Sequence, residues 1–150
     1  MKITTDAIKK LREMTSVSVM QCKKALEEAN GDLAQAEIIL KKHSATTALK
    51  KADRVLKAGA IGSYTHDGNI GAMVLLLCET DFVAKNSEFG VLAREIAMQI
   101  AAMDPENGED LLAQPSIKNE NRTVHTLLDE AAQKFGERVE VSRFARFSSR

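Results

Sequence analysis

The stretch Gly59-Ala-Ile-Gly-Ser-Tyr-Thr-His66, then Asp67-Gly68-Asn69, then Ile70-Gly-Ala-Met-Val-Leu-Leu-Leu-Cys78 reads as a β-hairpin. Asp-Gly between two strand-like runs is a strong turn signal, because the tight hairpin turn needs positive φ at its centre. The second run is apolar on both faces, with Ile70, Ala72, Val74 and Leu76 alternating with Met73, Leu75 and Leu77. A strand covered on both sides is usually central in its sheet. Downstream comes Glu79-Thr80-Asp81-Phe82-Val83-Ala84-Lys85-Asn86, expected as a connecting loop. A long helix follows, with Phe89, Leu92, Ile96, Ile100 and Met103 on one face and Asp104-Pro105 as its stop. Residues 106–122 are mostly polar, with a short apolar spot at Leu111-Leu112. Thr123 caps another helix bearing Val124, Leu127, Leu128, Ala131 and Phe135, ended by Gly136. Val139, Val141, Phe144 and Phe147 suggest a closing strand whose register is open over residues 143–146. The order ββααβ predicts an α+β core, a small, largely antiparallel sheet covered by helices.

Upstream of Gly59 the pattern is helical. Thr5 can cap a helix carrying Ile8, Leu11, Arg12 and Met14, broken at Thr15-Ser16-Val17-Ser18. Ser18 and Gln21 form a capping-box pattern ahead of Val19, Cys22, Ala25, Leu26 and Ala29. Asn30-Gly31 ends that helix, and Asp32 with Gln35 opens a third bearing Leu33, Ala36, Ile39 and Leu40. Residues 1–43 are therefore expected as a three-helix unit, near the ~40-residue lower limit for folding alone. Residues 44–58 are expected as a basic helical linker and residues 59–150 as the α+β core. Lys41, Lys42, Lys50, Lys51, Arg54 and Lys57 stand against Asp53 alone. They form either a solvated helix face or a contact for RNA or an acidic partner.

The 150 residues carry 21 basic and 21 acidic side chains, so bulk charge does not favour nucleic acid. Aromatics make up 4%, with no Trp, leaving few rings for base stacking. No apolar run reaches the ~20 residues of a membrane span. The opening MKITTDAIKKL turns polar at once, unlike a secretory signal. Cys22 and Cys78 form no CxxC pair and suit a reducing compartment, so a cytoplasmic protein is expected.

Motifs for phosphate-loop, dinucleotide, zinc-protease or serine-hydrolase chemistry are absent from the sequence. His43, His66 and His125 fall in different segments, so no metal site and no cofactor are expected. A Cys78/His66 nucleophile pair is conceivable across the hairpin, though nothing nearby would make a thiolate or an oxyanion hole. The odd feature is Thr80-Asp81-Phe82-Val83, where an acid and a large aromatic stand side by side in a connection that usually holds turn-forming residues. Either Phe82 folds into the core, or the segment is an exposed apolar wedge made to enter another protein.

Cys78-Glu-Thr-Asp-Phe-Val-Ala-Lys-Asn86 resembles the signature of the bacterial elongation factor Ts family. Leu11-Arg12-Glu-Met-Thr15 followed by Cys22-Lys23-Lys24-Ala25-Leu26, and the closing Gly136-Glu-Arg-Val-Glu-Val-Ser-Arg-Phe-Ala-Arg-Phe147, are similar to the same family, so the resemblance spans essentially the whole chain. The chain is similar to its compact, single-core form, with no second copy of the hairpin and Thr-Asp-Phe-Val block. It departs from the family pattern at Ser16, usually Gly, and Gln21, usually Asp. It also departs at Leu75 and Leu77, where Glu and Asn are common.

The resemblance implies a guanine-nucleotide exchange factor for elongation factor Tu, which makes no bonds itself. Thr80, Asp81, Phe82 and Val83 would dislodge Mg²⁺ from the partner's nucleotide site, with Phe82 as wedge. It implies a ubiquitin-associated-like fold for the N-terminal unit, docking through Leu11, Arg12, Val19 and Met20, of which Leu11 and Val19 could equally be core. It also implies a homodimer and no direct nucleic-acid contact. Three other classes stay open on the residues alone. They are an RNA- or ribosome-binding protein using residues 41–57, an adaptor using the three-helix unit, and a thiol enzyme using Cys78.

Overall fold

The computed structural model describes residues 2–150. Among them are seven helices and one three-stranded antiparallel sheet, so the fold is α+β. The chain divides into two compact units: residues up to Ala52 together with Asp129–Gly136, and Asp53–Leu128 together with Glu137–Arg150.

In the first unit, α1 (Thr5–Thr15) opens on Thr4, whose hydroxyl accepts the Ala7 N–H at 3.2 Å. It stops at Ser16, which takes a left-handed φ of 57° and donates its N–H to the Arg12 carbonyl. That conformation costs a non-glycine residue about 1–2 kcal/mol, which gives the Ser16 departure a local physical meaning. Helix α2 (Val19–Glu28) opens on Ser18, whose Oγ accepts the Gln21 N–H at 3.3 Å and donates to Gln21 Oε1 at 3.2 Å. Asn30 and Gly31, both at positive φ, reverse the chain. The Asp32 carboxylate then accepts the Gln35 N–H and starts α3 (Leu33–Lys51).

No Gly or Pro interrupts α3, so the helix passes through residues 44–51 without a break. Leu11, Val17, Cys22, Ala25, Leu26, Ala36 and Leu40 form the core of this unit. The 129–136 piece joins it where Ser44 Oγ donates to Gln133 Oε1 and Lys51 Nζ donates to the Gly136 carbonyl.

In the second unit, β1 (Ala58–His66) and β2 (Ile70–Cys78) form the hairpin, with Gly62 opposite Val74 and the turn at Asp67 and Gly68, both at positive φ. Strand β3 (Glu140–Ser148) pairs with the other side of β2. The order β1-β2-β3 makes β2 central, as its two-sided apolarity predicts. Leu75 lies opposite Arg143 while Leu76 lies opposite Val141, leaving Ser142 as the extra residue of a bulge. A bulge breaks the two-residue alternation, so the closing strand's register could not be read from its side chains.

The remaining helices are α4 (Asp81–Ala84), α5 (Ser87–Met103), α6 (Gly108–Ala113) and α7 (Val124–Phe135). The sequence pattern did not announce α4 or α6, which are too short for a 3.6-residue period to show. Helix α5 packs on β1 and β2 through Phe89, Ala93, Ile96, Ala97 and Ile100, while Met103 at its end is exposed. A Cβ at Gly62 would sit 2.3 Å from the Ala93 carbonyl, so helix and strand meet backbone to backbone. The other face of the sheet carries Ile61, Met73 and Phe147, all exposed. Among the described residues, no helix is long and apolar enough to cross a membrane.

Candidate functional site

Strand β2 ends at buried Cys78 and hands the chain to Glu79 and Thr80. The next four residues form a single helical turn rather than the loop expected. The Ala84 N–H bonds the Thr80 carbonyl at 3.1 Å, and the Lys85 N–H bonds the Asp81 carbonyl at 2.9 Å. An acid at the first position of such a turn lies beside its free N–H groups and favours it. Asn86 then separates α4 from α5 by capping the latter, its Oδ1 accepting the Glu88 N–H at 2.9 Å.

The turn sends its two apolar side chains in opposite directions. Val83 is buried, whereas Phe82 is 91% exposed and Asp81 beside it is exposed too. Thr80 stands at the N-cap position but does not cap α4. Its hydroxyl donates instead to Glu137 Oε2 at 2.6 Å, and the N–H groups of Glu79 and Thr80 donate to Glu137 Oε1 at 3.0 and 2.9 Å. The sequence reading missed Glu137. Its one signal was an acid directly after a helix-ending glycine. Chemically, the turn offers a fixed aromatic wedge next to a negative charge, a shape suited to entering a groove in another macromolecule.

Burial first, and then the charge of Glu137, push the Cys78 thiol above its ordinary value of 9.0. The Cys78/His66 pairing fails on geometry. Cys78 lies opposite Ala58 and His66 opposite Ile70, at the two ends of the hairpin. The Tyr64 hydroxyl lies 2.9 Å from His66 Nδ1, and Asp67 lies 3.5 Å from His66 Nε2. Among the described residues, no group of three or more His, Cys, Asp or Glu side chains is arranged to hold a metal ion.

The N-terminal candidates separate. Leu11 is fully buried in the core of the first unit, so it offers no surface to a partner and instead supports the helices from beneath. Arg12 is exposed, and Val19 and Met20 are 51% and 68% exposed at the start of α2.

The described residues thus give one unit with an α+β layer that presents an aromatic on a braced turn, and one small helical unit. The family model described as Elongation factor TS matches residues 79–150, which takes in the Phe82 turn, Glu137 and β3. Elongation factor Ts of Thermodesulfovibrio yellowstonii is 39% identical over 191 aligned positions, covering 98% of this chain and 96% of the relative. Elongation factor Ts of Thermotoga maritima gives the same identity and coverage. Elongation factor Ts of Trichlorobacter lovleyi is 41% identical over 99% of this chain but 48% of its own length. The chain belongs to the elongation factor Ts family.

Proposed function

We propose that this protein binds elongation factor Tu and promotes release of its GDP, so that GTP can rebind. The observation that carries the reading is the nearly complete exposure of Phe82 on a turn whose ends are held. On a turn held in this way, a nearly fully exposed aromatic is placed to fill a pocket of a partner, where aromatic anchors supply much of the binding energy.

In such a GTPase, Mg²⁺ and the phosphate loop hold the diphosphate. Phe82 enters between helices of the partner's nucleotide domain, and Asp81 brings a carboxylate near the shell that supports the metal. Thr80 and Val83 keep the turn in shape. The phosphate grip weakens, and no bond of the nucleotide is made or broken by this chain. Linkage then fixes the reverse effect: GDP weakens binding of this protein to elongation factor Tu by the same factor.

The N-terminal unit, read as residues 1–43, docks a second surface of that domain through Arg12, Val19 and Met20, with Leu11 holding them from the core. Residues 44–58 act as the basic connection, and residues 59–150 deliver the wedge. A second attachment raises the effective concentration of the first. A second copy of the chain covers the exposed apolar sheet face of Ile61, Met73 and Phe147, giving a homodimer that works in the cytoplasm. Light scattering that returns a monomer with full activity refutes the dimer and leaves exchange untouched.

The test of the function is stopped-flow release of fluorescent GDP from elongation factor Tu, in excess unlabelled GDP at fixed Mg²⁺. A dose-dependent acceleration supports the reading. No acceleration by a folded protein with a competent partner overturns it, and moves the RNA and adaptor readings forward.

A further inference from the structure

We infer that Glu137 is the positioning residue of the Phe82 wedge, an inference that rests on the exchange reading above. Phe82 makes almost no contact with its own protein, so packing does not set its direction. Its direction follows from the backbone of α4, and that backbone is fixed at two places. One is Val83, buried beneath the turn. The other is Thr80, whose carbonyl accepts the Cys78 thiol at 3.3 Å and whose N–H and hydroxyl both go to one carboxylate.

Glu137 Oε1 takes two backbone N–H groups, from Glu79 at 3.0 Å and Thr80 at 2.9 Å. Glu137 Oε2 takes the Thr80 hydroxyl at 2.6 Å. All three donors belong to the two residues that precede Asp81 and Phe82. A carboxylate acceptor makes each bond charge-assisted and short. The arrangement is also reciprocal. Glu79 Oε2 accepts the Arg138 N–H at 2.7 Å and pairs with Arg54 Nη1 at 3.4 Å. Arg138 Nη1 in turn donates to the Arg54 carbonyl at 2.8 Å. Two neighbouring carboxylates, Glu137 and Glu79, thus each hold the backbone next to the other.

The hydroxyl of Thr80 is the telling detail. At an N-cap a threonine normally caps its own helix, yet here that hydroxyl is given to Glu137 instead. The turn is tied to the connection between α7 and β3 rather than closed on itself. An exposed binding segment must otherwise lose its freedom when the partner arrives. A segment held beforehand does not carry that cost. Glu137 therefore acts on exchange through Phe82, without itself touching the nucleotide site.

The experiment is a double-mutant cycle on the full chain with elongation factor Tu, reading GDP release at saturating factor. Phe82→Ala, Glu137→Ala, Glu137→Gln and the double variant Phe82→Ala/Glu137→Ala are compared with wild type. Glu137→Ala is expected to lower the maximal release rate on the order of tenfold, the loss that one or two charge-assisted bonds produce. Glu137→Gln keeps an acceptor and loses less. In the Phe82→Ala background, Glu137→Ala is expected to change the rate much less than in wild type, because its main route of action is gone and only its hold on Asp81 remains.

Amide hydrogen exchange gives a second readout. Glu79, Thr80 and the α4 amides speed up in Glu137→Ala, while those of α5 stay protected. Unchanged release by a folded Glu137→Ala, or losses that add fully with Phe82→Ala, overturns the proposal. Should Glu137→Ala fail to fold, Glu137→Gln carries the same two tests. If wild type gives no acceleration over elongation factor Tu alone, the exchange reading itself has failed; if wild type and Phe82→Ala accelerate release equally, Phe82 has no part in it and the assignment of Glu137 falls too. If Phe82→Ala loses activity and Glu137→Ala keeps it, only the assignment of Glu137 falls.

Discussion

Phe82 and Phe89 lie seven residues apart in two consecutive helices, and one is 91% exposed while the other has no exposed surface. Phe89 faces the sheet from the first turn of α5 and packs under it. Phe82 sits on α4, which is fixed by polar bonds at Thr80 and by the smaller Val83. The difference shows how a protein can spend a large aromatic outside its core. The element that carries it must draw its order from something else, here a carboxylate and a short aliphatic side chain. The contrast predicts that fold and partner contact can be damaged separately.

The largest expected effect is on the core side. Gly62→Val places side-chain atoms where the Ala93 backbone already stands. A loss on the order of 4 kcal/mol or more is expected, read as failure to recover a cooperative unfolding transition. Phe89→Ala comes next, at about 3–5 kcal/mol in urea unfolding. A smaller loss would mean that α5 does not depend on Phe89, and the contrast between the two rings would weaken.

A further effect comes from pH. Burial pushes both Cys22 and Cys78 above their ordinary 9.0, so the folded state holds these protons after the unfolded chain has released them. Their contribution is fully present below pH 9.0 and is lost as pH rises through their folded values. The urea midpoint of wild type should fall above that pH more steeply than that of the variant lacking both thiols. The smallest effect on stability belongs to Phe82→Ala, within about 0.5 kcal/mol as at other exposed sites. Its GDP-release activity should nevertheless fall strongly. Equal activity in this folded variant would remove Phe82 from the mechanism.

Much of the frame could be read from residues alone, because the signals were local. Asp67-Gly68, Asn30-Gly31 and the Ser18/Gln21 pair each act within a few residues, and each is found where it was expected. What escaped depends on distant partners or on lengths below one period. Helix α4 is a single turn. The bulge at Ser142 is defined only against β2. Leu11 could not be sorted into core or contact without its neighbours, since a leucine on an amphipathic helix suits both. Glu137 left only a weak local signal for the same reason: its partners stand 57 and 58 residues away. In the candidate site, the sequence marked the Thr80–Val83 segment, and the fold supplied what holds it.

The first unit is assembled from two separated stretches of chain, residues up to Ala52 and Asp129–Gly136. That makes it poor material for recombination. A fragment ending near Ala58 would carry all three N-terminal helices but lack Gln133 and Gly136, the acceptors used by Ser44 and Lys51. A transplant of the N-terminal helices alone is therefore not a transplant of the unit. Chimeras between relatives should tolerate exchange of both stretches together better than exchange of either one.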